Sequence, residues 1–252
     1  MPNDGIPVYV AVDSARLETT PSQGVSTHRI TDLWVEAGPE NLGVYEMPCR
    51  FPVLREGAVN LVFNPGILKD GQNNQRIVYP FYTPYITTVD MRRGEELKLN
   101  PVFRYKEGIN FPLNESFESG NAFVGLDRSS ADSVVISGSS SGVMFLSETD
   151  SLKEAVLGTV LSLPAGSQIF LEMDYKSNVF FTVGVLGVSG SLVNRFPKIV
   201  VGPKSSPNKI YIEISNEVGL LATPKYNIYL QVQKPVGSTA WVSIDNIRIL
   251  HF

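Results

Sequence analysis

Side chains that carry covalent or metal chemistry are scarce in this 252-residue chain: one cysteine, Cys49, and two histidines, His28 and His251, at opposite ends. A lone cysteine excludes an intramolecular disulfide and a cysteine-built zinc site, and two distant histidines exclude an H-E-x-x-H helix. The serines include one G-x-S-x-G match, Gly138-Ser139-Ser140-Ser141-Gly142, in a Ser/Gly stretch that reads as a loop between two β runs, and neither histidine adjoins a serine in sequence. The glycine-containing stretch 186–192 lacks the Lys-Ser/Thr ending of a phosphate loop and meets no G-x-G-x-x-G spacing. Carboxylates are better placed. Glu172 and Asp174 alternate along one apolar segment, so they share a face opposite Leu171, Met173 and Tyr175. Two acids so placed could act as a pair; the plainer expectation is the solvated face of a half-buried strand. Without a nucleophile–base constellation, the expectation is a protein that is not an enzyme.

The elements that would position these residues are strands. Almost every segment alternates with period two or is a short β-branched and aromatic run, punctuated by Gly, Pro, Asn and Ser. About fifteen such runs are legible, and only 147–157 tolerates a helical turn. The texture changes near residue 106, from proline-rich strands to longer ones. The chain therefore reads as all-β, with two β-sandwich domains in series: residues 1–107 of immunoglobulin-like size and residues 108–252 of jelly-roll size. The Asp70-Gly71 step predicts a tight turn.

Charge and hydropathy narrow the partners. A net charge of −4 with 18% charged residues offers no footprint for nucleic acid. The longest apolar run, near 179–188, is interrupted by Thr182, Gly184 and Gly187 and is too short for a membrane span. The N-terminus, Met1-Pro2-Asn3-Asp4-Gly5, carries neither the basic nor the apolar region of a secretory signal, which fits a cytosolic chain or an exported one whose leader has been removed.

Several short motifs occur in a fixed order: Ile30-Thr31-Asp32-Leu33-Trp34-Val35, Leu42-Gly43-Val44-Tyr45-Glu46-Met47-Pro48, Pro52-Val53-Leu54-Arg55-Glu56-Gly57, Asn64-Pro65-Gly66-Ile67 and Tyr79-Pro80-Phe81-Tyr82. This order resembles the N-terminal domain of a group of uncharacterised Bacteroidota envelope lipoproteins and is similar, more loosely, to PEGA-type and carboxypeptidase-regulatory-type sandwiches. The second region opens on Glu115-Ser116-Phe117-Glu118 and passes through Phe170-Leu171-Glu172-Met173-Asp174-Tyr175-Lys176. It closes on Ser243-Ile244-Asp245-Asn246-Ile247-Arg248-Ile249 and resembles the galactose-binding-like jelly roll of carbohydrate-binding modules.

The resemblance implies export, residence on the cell envelope, and attachment to the outer membrane by an N-terminal lipid outside this chain, since Cys49 lies within a strand. It also implies a candidate structural calcium tying first strand to last, for which Glu115, Glu118 and Asp245 are the acids in position. Sugars are gripped by rings against their C–H faces and by amide, carboxylate and guanidinium groups at their hydroxyls. Tyr175, Lys176, Asn178, Arg195 and Trp241 are the expected ligand-binding residues, at strand ends or turns of the second region. Tyr79, Phe81, Tyr82 and Tyr85 form a second aromatic cluster, kept off a central strand by Pro80 and Pro84, and could be either a partner or ligand surface or core. The expected partner is a glycan; the alternative is a structural or assembly role, docking on envelope proteins through sandwich edges and that cluster.

Overall fold

The computed structural model describes residues 5–252; Met1–Asp4, read above for a secretory signal, lie outside the described residues. Two compact units result, one made of residues up to 22, His28–Leu68 and Gln72–Glu107, the other of Gln23–Thr27, Lys69–Gly71 and Gly108–Phe252. The expected division at 107 did not foresee that two short segments from the N-terminal half belong to the second unit.

The first unit contains strands β1 (Val8–Val12), β2 (Arg16–Glu18), β3 (Asp32–Ala37), β4 (Glu40–Glu46), β5 (Cys49–Val53), β6 (Gly57–Leu68), β7 (Arg76–Val78), β8 (Tyr85–Met91), β9 (Glu96–Lys98) and β10 (Val102–Arg104). One sheet runs β5-β1-β9, a two-stranded piece pairs β10 with β2, and the largest runs β4-β3-β6-β7 with β8 also on β6. Period-two patterning fills the core: Val8, Val10 and Val12 are buried from β1, and Leu33, Val35 and Ala37 from β3. Trp34 and Glu36, at the alternate positions, therefore face the other way. Asp70 and Gly71 both take positive φ, 55° and 66°, as the tight turn requires.

The aromatic cluster belongs to the core. Tyr79, Phe81 and Tyr82 are buried, with Tyr79 edge-on to Phe81 at 5.5 Å and to Tyr82 at 4.7 Å, and Tyr82 edge-on to Tyr105 at 5.0 Å. The two prolines make the segment a connection between β7 and β8, as expected, but one that folds its rings inward. Only Tyr85 stays half-buried, 6.0 Å from Phe63. The docking surface expected of this cluster is corrected accordingly for Tyr79, Phe81 and Tyr82.

The second unit contains β11 (Asn110–Glu115), β12 (Phe123–Val124), β13 (Asp127–Ser129), β14 (Ser141–Leu146), β15 (Leu152–Leu157), β16 (Ile169–Ser177), β17 (Phe181–Ser189), β18 (Leu192–Val201), β19 (Lys204–Glu213), α1 (Ser215–Leu221), β20 (Lys225–Gln233) and β21 (Ala240–His251). A front sheet runs β13-β14-β21-β16-β19, with β11 also on β21, and a back sheet runs β12-β15-β20-β17-β18. From β14 to β17, and again from β18 to β21, successive strands cross between sheets, and the named strand pairs of this unit are antiparallel. This is the winding of a jelly roll. Leu171, Met173, Tyr175, Val183, Val185, Ile228, Leu230, Ile244 and Ile249 fill the space between the sheets.

Residues 147–157 are not helical: Ser147 donates from its backbone N–H and its hydroxyl to Asp150 Oδ2, both at 2.7 Å, closing a turn before β15. The helix of this unit, α1, is seven residues long and contains Gly219, too short a segment to show a helical period. The face shared by Glu172 and Asp174 is not solvated either, since all nine residues of β16 are buried. Lys209 Nζ lies 3.2 Å from Glu172 and 3.5 Å from Asp174, and Arg248 Nη1 lies 3.5 Å from Glu172. Arg248 also donates to Val25 O. Ser243 Oγ and Lys176 Nζ donate to Val134 O and Val135 O, at 2.5 and 3.3 Å. The chain at 23–27 and at 134–137 thus covers that face.

Candidate functional site

The back sheet keeps its outward face half-open. Because Ala155, Leu157, Val183, Val185, Ile228, Leu230 and Val232 point into the core, the alternate residues point out. Strand register arranges them in rows across the sheet. Glu154 lies opposite Gln231, and Gln231 opposite Thr182; Val156 lies opposite Tyr229, and Tyr229 opposite Gly184; Asn227 lies opposite Leu186, and Leu186 opposite Arg195.

Tyr229 lies flat across β17 because its neighbour there is glycine; a Cβ at Gly184 would fall inside the tyrosine ring's contact shell. Arg195 crosses above the ring, Cζ 4.3 Å from its centroid, and reaches Glu154 with both guanidinium nitrogens, at 2.5 and 2.8 Å. Burial raises the Tyr229 hydroxyl's pKa and the Arg195 charge opposes that rise, so it remains a neutral phenol. A hydrogen-bonded carboxylate holds the Arg195 pKa above its ordinary value. The two-point pair carries no net charge, presenting N–H donors and carboxylate lone pairs side by side. Around it stand the amides of Asn227 and Gln231 and the Thr182 hydroxyl. Asn227 Oδ1 is buried without a hydrogen-bond partner among the described residues. Such a surface presents both donors and acceptors.

The five expected ligand residues do not converge. Arg195 alone reaches this face. Tyr175 is a core residue, edge-on to Phe181 at 5.6 Å, because its position on β16 points inward. Lys176 is buried with its amine on Val135 O, as described. Asn178 is structural: Oδ1 accepts from Trp241 N at 2.7 Å and fixes the turn after β16. Trp241 belongs to the front sheet, half-buried opposite Phe145. Of the residues that build the face, Tyr229 is itself buried, 1% exposed, beneath Arg195, and sequence reasoning passed over Glu154, Asn227 and Gln231. The alternation Asn227, Tyr229, Gln231 was the available signal, placing an aromatic between two amides on one side of β20.

The acids expected to hold calcium are engaged by hydrogen-bond donors. Glu115 accepts from the N–H groups of Phe117 and Ala122, each at 2.6 Å. Glu118 accepts from the Ser139 and Ser140 N–H groups and the Ser139 hydroxyl, which hold its carboxyl below the usual range. Asp245 accepts from Asn246 N at 2.7 Å. Among the described residues, no three His, Cys, Asp or Glu side chains are grouped to hold a metal ion.

No family model matches this chain, and no curated protein matches it in sequence. Similar solved structures include a family 61 carbohydrate-binding module in complex with β-1,4-galactotriose, at 15% identity and TM-score 0.39 over 57% of this chain and 99% of that one. Another comes from a study of promiscuous carbohydrate-binding modules of the β-sandwich superfamily, at 12% identity and TM-score 0.42 over 86% and 84%. A third is a family 29 carbohydrate-binding module variant complexed with cellulohexaose, at 12% identity and TM-score 0.39 over 58% and 92%. Likeness at this level carries no inference about a ligand.

Proposed function

We propose that the second unit is a non-catalytic binding module whose back-sheet face takes a neutral oligosaccharide. The observation that carries this is the Arg195–Glu154 pair held over Tyr229 among Gln231, Thr182 and Asn227. A sugar's vicinal hydroxyls both donate and accept, and a self-neutralised guanidinium–carboxylate plate with flanking amides matches them without selecting a charged ligand. The alternative, docking through sandwich edges and residues 79–85, loses the second of these surfaces because three of the four rings are buried. Envelope location and a lipid anchor outside this chain enter the proposal from motif order alone; cell fractionation of the full-length protein tests them, with the membrane fraction expected.

The test is calorimetric titration of the whole chain with β-1,4-galactotriose, cellulohexaose and mannohexaose. Binding of at least one is expected, and Arg195→Ala should weaken it by roughly tenfold or more, about 1.4 kcal/mol. Arg195 is exposed, so the variant should keep its unfolding midpoint. Wild-type binding that Arg195→Ala leaves intact would move the site elsewhere.

A further inference from the structure

The first unit repeats the same local device on its own outer face. Trp34 points outward from β3, between Val44 on β4 and Asn64 on β6. Across from the neighbouring Asp32 stands Gly66, where a Cβ would come 2.8 Å from Asp32 Cβ and 3.1 Å from Trp34 Nε1. Glycine is therefore what lets the indole lie down on the sheet. Its Nε1 is buried with no hydrogen-bond partner among the described residues. Packing, not hydrogen bonding, sets the ring's orientation.

Hydrogen-bonding groups flank the ring along the strand in both directions. On one side, Arg76 joins Asp32 and Glu46, the latter at 2.9 Å. On the other, the Asn64 amide donates to Glu36 Oε1 at 3.3 Å. Unlike Tyr229, which is buried beneath Arg195, Trp34 is only part-buried.

We propose that this face, centred on Trp34, is a second oligosaccharide site. A pyranose stacked on the indole would have its equatorial hydroxyls between the Arg76 group and the Asn64–Glu36 pair, because side chains two positions apart on a strand are separated by about 7 Å. Three carboxylates against one guanidinium select a neutral sugar over an anionic one. The exposed aliphatic residues nearby, Val44, Val78 and Ile86, sit on three different strands with Asn64 and Gly66 among them, which favours a sugar over an apolar protein surface. The inference takes its ligand class from the reading above but not its location.

The experiment exploits the two tryptophans, Trp34 and Trp241. In a Trp241→Phe background, the emission of Trp34 is followed during titration with the same three oligosaccharides. A saturable change is expected, surviving Arg195→Ala and weakened roughly tenfold or more by Gly66→Ala, which lifts the indole while keeping it. In parallel calorimetry, Trp34→Ala should lower the number of sites from two to one. A single site abolished by Arg195→Ala, with unchanged Trp34 emission, overturns this proposal and leaves the back-sheet reading standing. Binding abolished by Trp34→Ala alone does the reverse, and no binding of any of the three overturns both.

Discussion

Lys209→Met is expected to destabilise the second unit by about 3–5 kcal/mol, the cost of leaving buried charges unpaired. Lys209 sits on β19 against Glu172 and Asp174 of the adjacent β16, with side chains 2%, 0% and 5% exposed. Arg248, on the strand at the other side of β16, shares Glu172 but makes no ion pair with Asp174 among those observed. Among the described residues, removing the amine therefore leaves Asp174 with the Asn246 amide, at 2.9 Å. For a unit of this size the loss lowers the unfolding midpoint by about 10 °C. A Glu172→Gln/Lys209→Met double variant should recover part of that loss, since a neutral amide suffers less from a missing partner than a carboxylate does. A midpoint within about 1 °C of wild type in the single variant would mean that water reaches the cluster and the network is not sealed.

Asp245→Asn should stabilise the same unit at pH 8 and do nothing for it at pH 4. Asp174 and Asp245 lie directly opposite each other on β16 and β21, where like charges repel. Burial first, then the neighbouring carboxylates of Asp174 and Glu118, raise the Asp245 carboxyl to about 7, against N–H bonds from Asn246 and Ser137 that pull it down. The folded protein thus holds the proton more tightly than the unfolded chain. The associated stability is full below the ordinary value of 3.8 and is lost as the pH rises to about 7. That shift corresponds to ~4 kcal/mol on the charged form, an upper bound where the acids relax together. The charged groups facing this pair are Lys209, against Glu172 and Asp174, and Arg248, against Glu172. Denaturant unfolding in EDTA, from pH 4 to 8, should show the variant gaining on wild type as the pH rises. A constant gap would remove Asp245 as the source, and calcium raising wild type to the variant's level would show a cation doing the work of the mutation.

The strands were legible because period two survives in almost every one: Leu33, Val35 and Ala37 alternate with Trp34 and Glu36, and Ile228 and Leu230 with Tyr229. The charge cluster was not legible. Glu172, Asp174, Lys209 and Arg248 lie on three strands, and only the β16–β19 and β16–β21 registers bring them together. Alternation showed that their face of β16 was polar; it held no sign that 23–27 and 134–137 would fold over it. The candidate site failed for the same reason. Glu154, Tyr229, Gly184 and Arg195 come from four strands, and glycine beneath tyrosine acquires meaning only when register sets one opposite the other. Residues chosen for lying at turns, such as Asn178, proved to hold the turns themselves.

The ligand is expected on the back-sheet face, and not on the front sheet or at the strand ends. Backbone amide chemical-shift mapping tests it most directly, with the isotope-labelled whole chain titrated with whichever of the three oligosaccharides binds. Perturbations are predicted on Glu154 and Val156 of β15, Thr182 and Gly184 of β17, Arg195 of β18, and Asn227 to Gln231 of β20. They should be strongly reduced in Gly184→Ala, whose methyl group displaces the Tyr229 ring. Perturbations in the second unit confined to β14, β16 and β21 around Trp241 would contradict the claim, as would the absence of any.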